Sequence, residues 1–302
     1  MALNATPPGP GPGAPAGWPA GWLALGAIAL WGSLASLSVS LAHVPPFLLT
    51  GLALLVGGLL ALPLSRFDLR AWRVPLRTLA LGVYGLFGFH FLLFIALRHA
   101  PPVEANLVNY LWPLGIVLMA PWLLPGTRLS WLHVLAALTG CAGAAIAITG
   151  GRAIDTTPSW GYLAALGSAF IWASYSLLTR RVAPFATSAI GLFALISAAL
   201  SLLCHLWLEP RVALAAADAA LILLLGAGPL GAAFYLWDAA LKRGDARQIG
   251  LLSFLTPLLS TGGLLLLRGQ PPDGAIIAAA VLIVGAAWLG SRARAPQAPL
   301  SR

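Results

Sequence analysis

The stretch Ala105–Pro113, ANLVNYLWP, sets two carboxamides, a phenol and a proline among apolar residues. At ~100° per residue, Asn106, Asn109, Tyr110 and Pro113 fall within about a 100° arc and share one helical face. A carboxamide brings two donors and a carbonyl acceptor, the equipment for holding a polar solute by hydrogen bonds. In hydrocarbon such groups cost free energy unless satisfied, so the face must look onto protein or a watery cavity. Pro113 removes one backbone hydrogen bond and weakens the helix near its middle, the place for a hinge. Two accounts stay open: Asn106 and Asn109 bind a solute, or they only join helices, as polar side chains in membranes often do.

Other residue patterns have the same two-sided character. Tyr84, Phe87, His90, Phe91 and Phe94 recur at spacings of three or four, an aromatic stripe that either walls a cavity or packs helices. His90 lies mid-span, where an ionisable group is a functional suspect, although a neutral imidazole bonded to a carbonyl also explains it. Trp31 precedes Ser33, Ser36 and Ser40, while Trp172 precedes Ser174, Tyr175 and Ser176. Near one span end stand Tyr235, Trp237 and Asp238, and Asp238 is one turn from Lys242, a spacing for ion pairing. Gln248 opens a later span in which Ser253, Phe254 and Pro257 occupy the places that Asn109, Tyr110 and Pro113 hold earlier. Glu104 lies near Arg98, and surface pairing is expected. Trp131, Trp160 and Trp207 fall at span ends and read as interfacial anchors.

The elements that must carry these residues follow from composition. Of 302 residues, 60% are hydrophobic and 8% charged, and the mean hydropathy is +0.90. That is an all-α polytopic membrane protein. Ten spans are expected at 22–42, 46–64, 75–97, 102–123, 131–150, 160–181, 186–207, 217–241, 248–267 and 273–290. Residues 1–20, rich in proline and glycine, read as a disordered cytoplasmic tail without a signal peptide, and 292–302 as a second tail. The net charge of +9 is scattered between spans, which argues against a nucleic-acid partner and leaves lipid as the surroundings. Cys141 and Cys204 lie in apolar runs without CxxC spacing and read as small buried hydrophobes.

Function classes narrow in the same way. HExxH spacing is absent, and no second mid-membrane aspartate forms a dyad with Asp238. A haem between His90 and His205 is imaginable, but His205 lies near a membrane surface. No catalytic residue, metal or cofactor is therefore expected. GxxxxGK[ST] is missing as well, so transport would draw on a gradient rather than ATP.

The chain also repeats itself. Gly26–Ser33 (GAIALWGS) matches Gly167–Ser174 (GSAFIWAS), and Val44–Thr50 (VPPFLLT) matches Val182–Ser188 (VAPFATS). Ala96, Leu97, Tyr110, Leu111 and Pro113 meet Ala240, Leu241, Phe254, Leu255 and Pro257 at an offset of 144. Two five-span halves follow, 21–152 and 153–291. Five is odd, so the second half enters the membrane inverted, as in many secondary transporters. With the N-terminus inside, 13 of the 17 Lys and Arg residues fall on the cytoplasmic side and Arg98, Arg152, Arg211 and Arg268 opposite. Both termini are thus expected in the cytoplasm.

Two five-helix halves with a weak repeat resemble the drug/metabolite transporter superfamily in its EamA form. Ala105–Pro113 (ANLVNYLWP) and Tyr235–Asp245 (YLWDAALKRGD) are similar to the fourth- and eighth-helix signatures of aromatic amino acid exporters of the YddG type. The resemblance implies a basket of ten helices in an inner (plasma) membrane. Its central cavity would be walled by helices 1, 3, 4, 6, 8 and 9, with helices 5 and 10 outside. It implies export of tryptophan, phenylalanine and tyrosine, with related amphipathic solutes as further substrates, by alternating access. Other small metabolites or drugs are the alternative cargo. On this reading the binding residues are Trp31, His90, Phe91, Asn106, Asn109, Tyr110, Trp172, Tyr175, Tyr235, Gln248, Ser253 and Phe254, with hinges at Pro113 and Pro257.

Overall fold

Each apolar run becomes one helix, because a backbone in hydrocarbon must satisfy its own hydrogen bonds. A computed structural model describes residues 19–155 and 157–293, and no strand occurs among them. Among the described residues, ten helices are long and apolar enough to cross a membrane: α1 (Ala20–Leu41), α2 (Pro46–Leu64), α3 (Leu76–His99), α4 (Pro102–Leu123), α5 (Trp131–Thr149), α6 (Gly161–Leu178), α7 (Thr187–Leu208), α8 (Ala216–Arg243), α9 (Ala246–Leu267) and α10 (Gly274–Arg292). The expected spans differ most at the end of α6, which stops at Leu178 rather than at residue 181. The expected tails lie outside the described residues except for their innermost positions.

The ends of these helices have local causes. Pro46 sits at the first position of α2, where its missing N–H and fixed φ suit a helix start. Asp273 caps α10 by accepting the Ile276 N–H at 2.9 Å. Gly150, at φ +60°, closes α5 in the left-handed conformation that glycine adopts without strain.

Packing partners exchange in pairs. Helix α3 lies on α6, as α1 lies on α8; α1 lies on α9, as α4 lies on α6. Helices α2 and α7 pack together on one flank, and α5 and α10 on the other. Swapping α1–α5 for α6–α10 returns these six pairs. Irregularities recur with it: a π-helical turn at Tyr84–Gly88 in α3 and another at Gly228–Ala232 in α8, an offset of 144. Both α4 and α9 break mid-length, at Tyr110–Leu111 and at Ser253–Phe254. The π turn of α8 also sets how closely α2 approaches. A Cβ on Gly231 would stand 2.8 Å from Gly57 Cα, so only glycine permits this crossing.

The two ends of the bundle are built differently. One gathers the arginine-rich loops. There Lys242 pairs with Asp238 (2.6 Å), as its one-turn spacing predicts, and Thr187 Oγ1 donates to the same carboxylate oxygen (2.7 Å). Arg180 donates to the Gly244 carbonyl (3.1 Å), and Arg247 to that of Arg128. At the arginine-poor end, Glu209 accepts the N–H groups of Phe47 and Leu48 and pairs with Arg98 (3.1 Å). This corrects the expected Glu104–Arg98 pair. The loop after α7 brings Glu209 to Arg98, while Glu104 turns to accept the Asp155 N–H (2.8 Å).

Candidate functional site

A cavity of ≈ 250 Å³ opens in the arginine-poor half of the bundle, between α1, α3, α4, α6, α8 and α9. The first turn of α2 joins its wall through Pro46, Leu49 and Thr50, which adds one helix to the six expected. Helices α5 and α10 stay outside it, paired with each other.

Aromatic rings form the floor. Trp31, Trp112, Trp172 and Phe234, one each from α1, α4, α6 and α8, line the cavity with ring centroids 5.7–6.4 Å apart. Trp237 lies beneath, 5.2 Å from Trp31 and 5.7 Å from Trp112, with its Nε1 donating to Ser176 Oγ at 3.1 Å. Edge-to-face and tilted rings of this kind hold one another in place and leave broad apolar faces upward. Below Trp237, the Asp238–Lys242–Thr187 contacts close the arginine-rich end.

One wall is polar. Asn106, Asn109 and Tyr110 of α4 and His90 of α3 all face the cavity. Asn109 is engaged on one side only: Ser168 Oγ of α6 donates to its Oδ1 at 2.8 Å. Its amide nitrogen, the Asn106 carboxamide and the Tyr110 hydroxyl have no hydrogen-bond partner among the described residues. Thus Asn109 both joins α4 to α6 and presents donors to the cavity. His90 Nδ1 donates to the Leu86 carbonyl at 2.6 Å, which leaves Nε2 as an acceptor if the ring is neutral. Among the described residues, no Lys, Arg, Asp or Glu lines the cavity. Its polar chemistry is that of neutral donors and acceptors.

The other residues singled out in the sequence lie elsewhere. Phe91 packs against Phe47 and Phe87 and is not among the residues that line the cavity. Tyr175 sits behind Trp172, 5.4 Å from it, and Tyr235 turns away to donate to the Gly57 carbonyl at 2.8 Å. Gln248 is exposed at the arginine-rich end. Ser253 is fully buried and donates to the Gly250 carbonyl of its own helix (2.5 Å). Phe254 is fully buried against Gly140 of α5. In their place the cavity takes Phe89, Trp112, Phe234 and Thr256. Trp112 stood inside the ANLVNYLWP stretch, and Phe234 stood beside the tyrosine chosen from α8. Thr256 gave no signal of its own.

Pro113 and Pro257 each follow a helix break by two or three residues. Beyond the breaks, in the arginine-rich half, α4 and α9 touch: Gly250 lies on Ile116 and the Pro113 carbonyl. In the other half they diverge, and Asn106, Tyr110, Pro257 and Thr261 line a gap of ≈ 260 Å³ between them.

Comparison with known proteins agrees with this architecture. The chain is 46% identical over 268 residues to the aromatic amino acid exporter YddG of Ancylobacter novellus, covering 86% of this chain and 93% of that one. It is 30% identical over 290 residues to the protein of the same name from Salmonella typhimurium, covering 90% and 97%. A solved structure described only as "Crystal structure of protein" superposes with a TM-score of 0.87 at 43% identity, covering 93% of this chain and 98% of the other. The EamA-like transporter family matches twice, over residues 18–149 and 159–292. The chain is a multi-pass membrane protein that belongs to the EamA-like transporter family, within the drug/metabolite transporter superfamily.

Proposed function

We propose that this protein exports aromatic amino acids across an inner (plasma) membrane by alternating access. The observation that carries the reading is the cavity itself: a floor of tryptophan and phenylalanine rings beside a wall of uncharged hydrogen-bonding groups. A flat aromatic side chain buries apolar area on the floor, and its amino and carboxylate groups meet Asn106, Asn109 and Tyr110. At ≈ 250 Å³ the space is below the ~300 Å³ at which ligand pockets typically begin, which suits one small solute at a time. The relatives named as aromatic amino acid exporters support the same substrate class.

Arginine-rich loops belong in the cytoplasm, so the cavity faces outward and the tryptophan floor closes the cytoplasmic side. Both termini are then cytoplasmic. The halves 21–152 and 153–291 are inverted repeats, and the breaks beside Pro113 and Pro257 are the hinges on which the cavity changes sides. The reading is tested by loading proteoliposomes with unlabelled tryptophan and following counterflow of labelled tryptophan. Tryptophan, phenylalanine and tyrosine should compete well, and alanine, lysine and aspartate poorly. Competition by alanine equal to that by phenylalanine would replace this substrate class with small metabolites in general.

A further inference from the structure

The cavity continues toward the arginine-poor end, and its continuation is charged. The gap between α4 and α9 shares Asn106 and Tyr110 with the cavity. It shares Val103, Ile148 and Thr261 with a third space of ≈ 620 Å³ at the ends of α4, α5, α9 and α10. The three spaces therefore adjoin through shared lining residues, from the tryptophan floor toward the arginine-poor end.

The third space gathers Arg152 and Arg268 with Glu104 and Asp273. Positive-inside bias leaves four arginines at this end, and two of the four line this one space. Arg98 is held by Glu209, whereas Arg152 and Arg268 form no ion pair among the described residues. Both carboxylates are partly engaged: Glu104 accepts the Asp155 N–H, and Asp273 caps α10. Here, then, are two guanidiniums with no ion pair among the described residues, in a space that adjoins a cavity lined by no Lys or Arg among those residues. An α-amino acid leaving the cavity carries a carboxylate that neutral groups alone have satisfied up to this point.

We infer that the space between α4, α5, α9 and α10 is an outer vestibule that receives the zwitterionic end of an amino acid. Arg152 and Arg268 draw the carboxylate, and Glu104 and Asp273 face the ammonium. This rests on the proposed amino acid cargo and deepens it, because it adds a second, weaker site on the exit path. Guanidinium fits a planar carboxylate through paired N–H donors, which a lysine supplies only as a point charge.

The test uses full-length protein in proteoliposomes, with tryptophan added at low ionic strength to the face that bears the vestibule. Arg152→Gln and Arg268→Gln should each raise the KM for tryptophan uptake about threefold, and together about tenfold, the size of a solvent-screened charge pair. Tryptamine, which has the ring and ammonium but no carboxylate, should compete as well against the variants as against the parent. About 0.5 M salt should raise the parent's KM toward the variants' values, and Arg268→Lys should recover part of the loss. Both arginines are exposed, so unfolding temperatures should hold and loss of fold will not mimic the effect. An unchanged tryptophan KM, or equal impairment of tryptamine competition, would overturn the vestibule. Should tryptamine fail to compete at all, the salt and lysine results decide alone. A parent protein that moves tryptophan normally while ignoring both substitutions refutes only the vestibule, whereas one that moves no aromatic amino acid refutes the cargo itself.

Discussion

Helices α4 and α9 bend at matching places, yet they present opposite chemistry. In α4 the break carries Asn106, Asn109 and Tyr110 into the cavity. In α9 the equivalent break carries Ser253 and Phe254 into the protein, both fully buried. What the repeat preserved is the backbone: a turn, then a proline that suits the first turn of the next helical segment. What diverged is the side-chain cargo. Under the proposed alternating access, a hinge is needed on both sides, but one polar wall suffices to hold a solute. On the proposed reading the carboxamides that meet the solute are gathered on α4, while α9 brings Thr256 to the cavity and otherwise packs.

The largest effect that sharpens this comparison comes from exchanging the two ring positions for alanine. Phe254→Ala empties a site pressed on Gly140 and should destabilise by about 3–5 kcal/mol, as buried aromatic deletions do. Tyr110→Ala, at the matching position, opens onto the cavity and should chiefly weaken tryptophan binding. Thermal unfolding and a binding titration on each variant separate the two. Equal destabilisation by both would erase the contrast between the helices.

Next in size is Asn109→Ala. Its amide nitrogen has no partner among the described residues while Ser168 holds its oxygen, so removal takes away one proposed solute contact and one helix contact. Tryptophan affinity should fall by about 1–3 kcal/mol, roughly 5- to 150-fold. Ser168→Ala removes the helix contact alone and should leave affinity within about twofold, with a stability loss on the order of 0.6 kcal/mol. If Ser168→Ala weakens binding as much as Asn109→Ala, the asparagine acts through helix packing.

How much of this could be read from the chain depends on the helix. All ten helices were legible, because twenty apolar residues in a row have few other fates. The polar face of α4 was legible too, since Asn106 and Asn109 precede the break, Tyr110 opens it, and an even 100° step still applies to them. In α3 and α8 the even step fails. A π turn adds a residue to its circuit, so side chains after Gly88 and after Ala232 are rotated from where an unbroken helix would place them. Hence Phe89, His90 and Phe94 line the cavity while Phe91 does not, and Phe234 enters where Tyr235 was expected. Pairing across loops was also hidden, because Glu209 and Arg98 are 111 residues apart.

A smaller effect contrasts how the two helices begin. Helix α4 starts on Pro101 and Pro102 with no titratable cap, whereas Asp245 accepts the Arg247 N–H at the start of α9. Burial pushes the Asp245 carboxyl up, but hydrogen bonds from Arg247 and its charge outweigh this and hold it below the usual carboxylate range. Because its folded pKa is depressed, Asp245 contributes stability in full above about pH 4, its unfolded range. That contribution is lost as pH falls through the folded value. Asp245→Ala should therefore cost about 0.5–2 kcal/mol at pH 7. The gap between variant and parent should narrow as unfolding is measured toward pH 3. A gap that stays constant with pH would mean that the carboxylate charge has no part in holding α9.

The smallest expected effect bears most directly on the asymmetry, since Thr256 is the polar residue that α9 does bring to the cavity. Its hydroxyl is buried and has no hydrogen-bond partner among the described residues. A buried hydroxyl left unmatched costs free energy, and valine keeps its branched shape without that burden. Thr256→Val should thus leave the unfolding temperature unchanged or raise it. Tryptophan affinity should change by less than the effect of Asn109→Ala, because the hydroxyl is shielded where the α4 carboxamides are open. Ser253→Ala should do less still, for its hydroxyl is spent on the Gly250 carbonyl of its own helix. Affinity and unfolding measured on both variants put a value on the polar share of α9. A loss of affinity in Thr256→Val as large as in Asn109→Ala would show that both helices hold the solute, and the division of labour between the halves would fall.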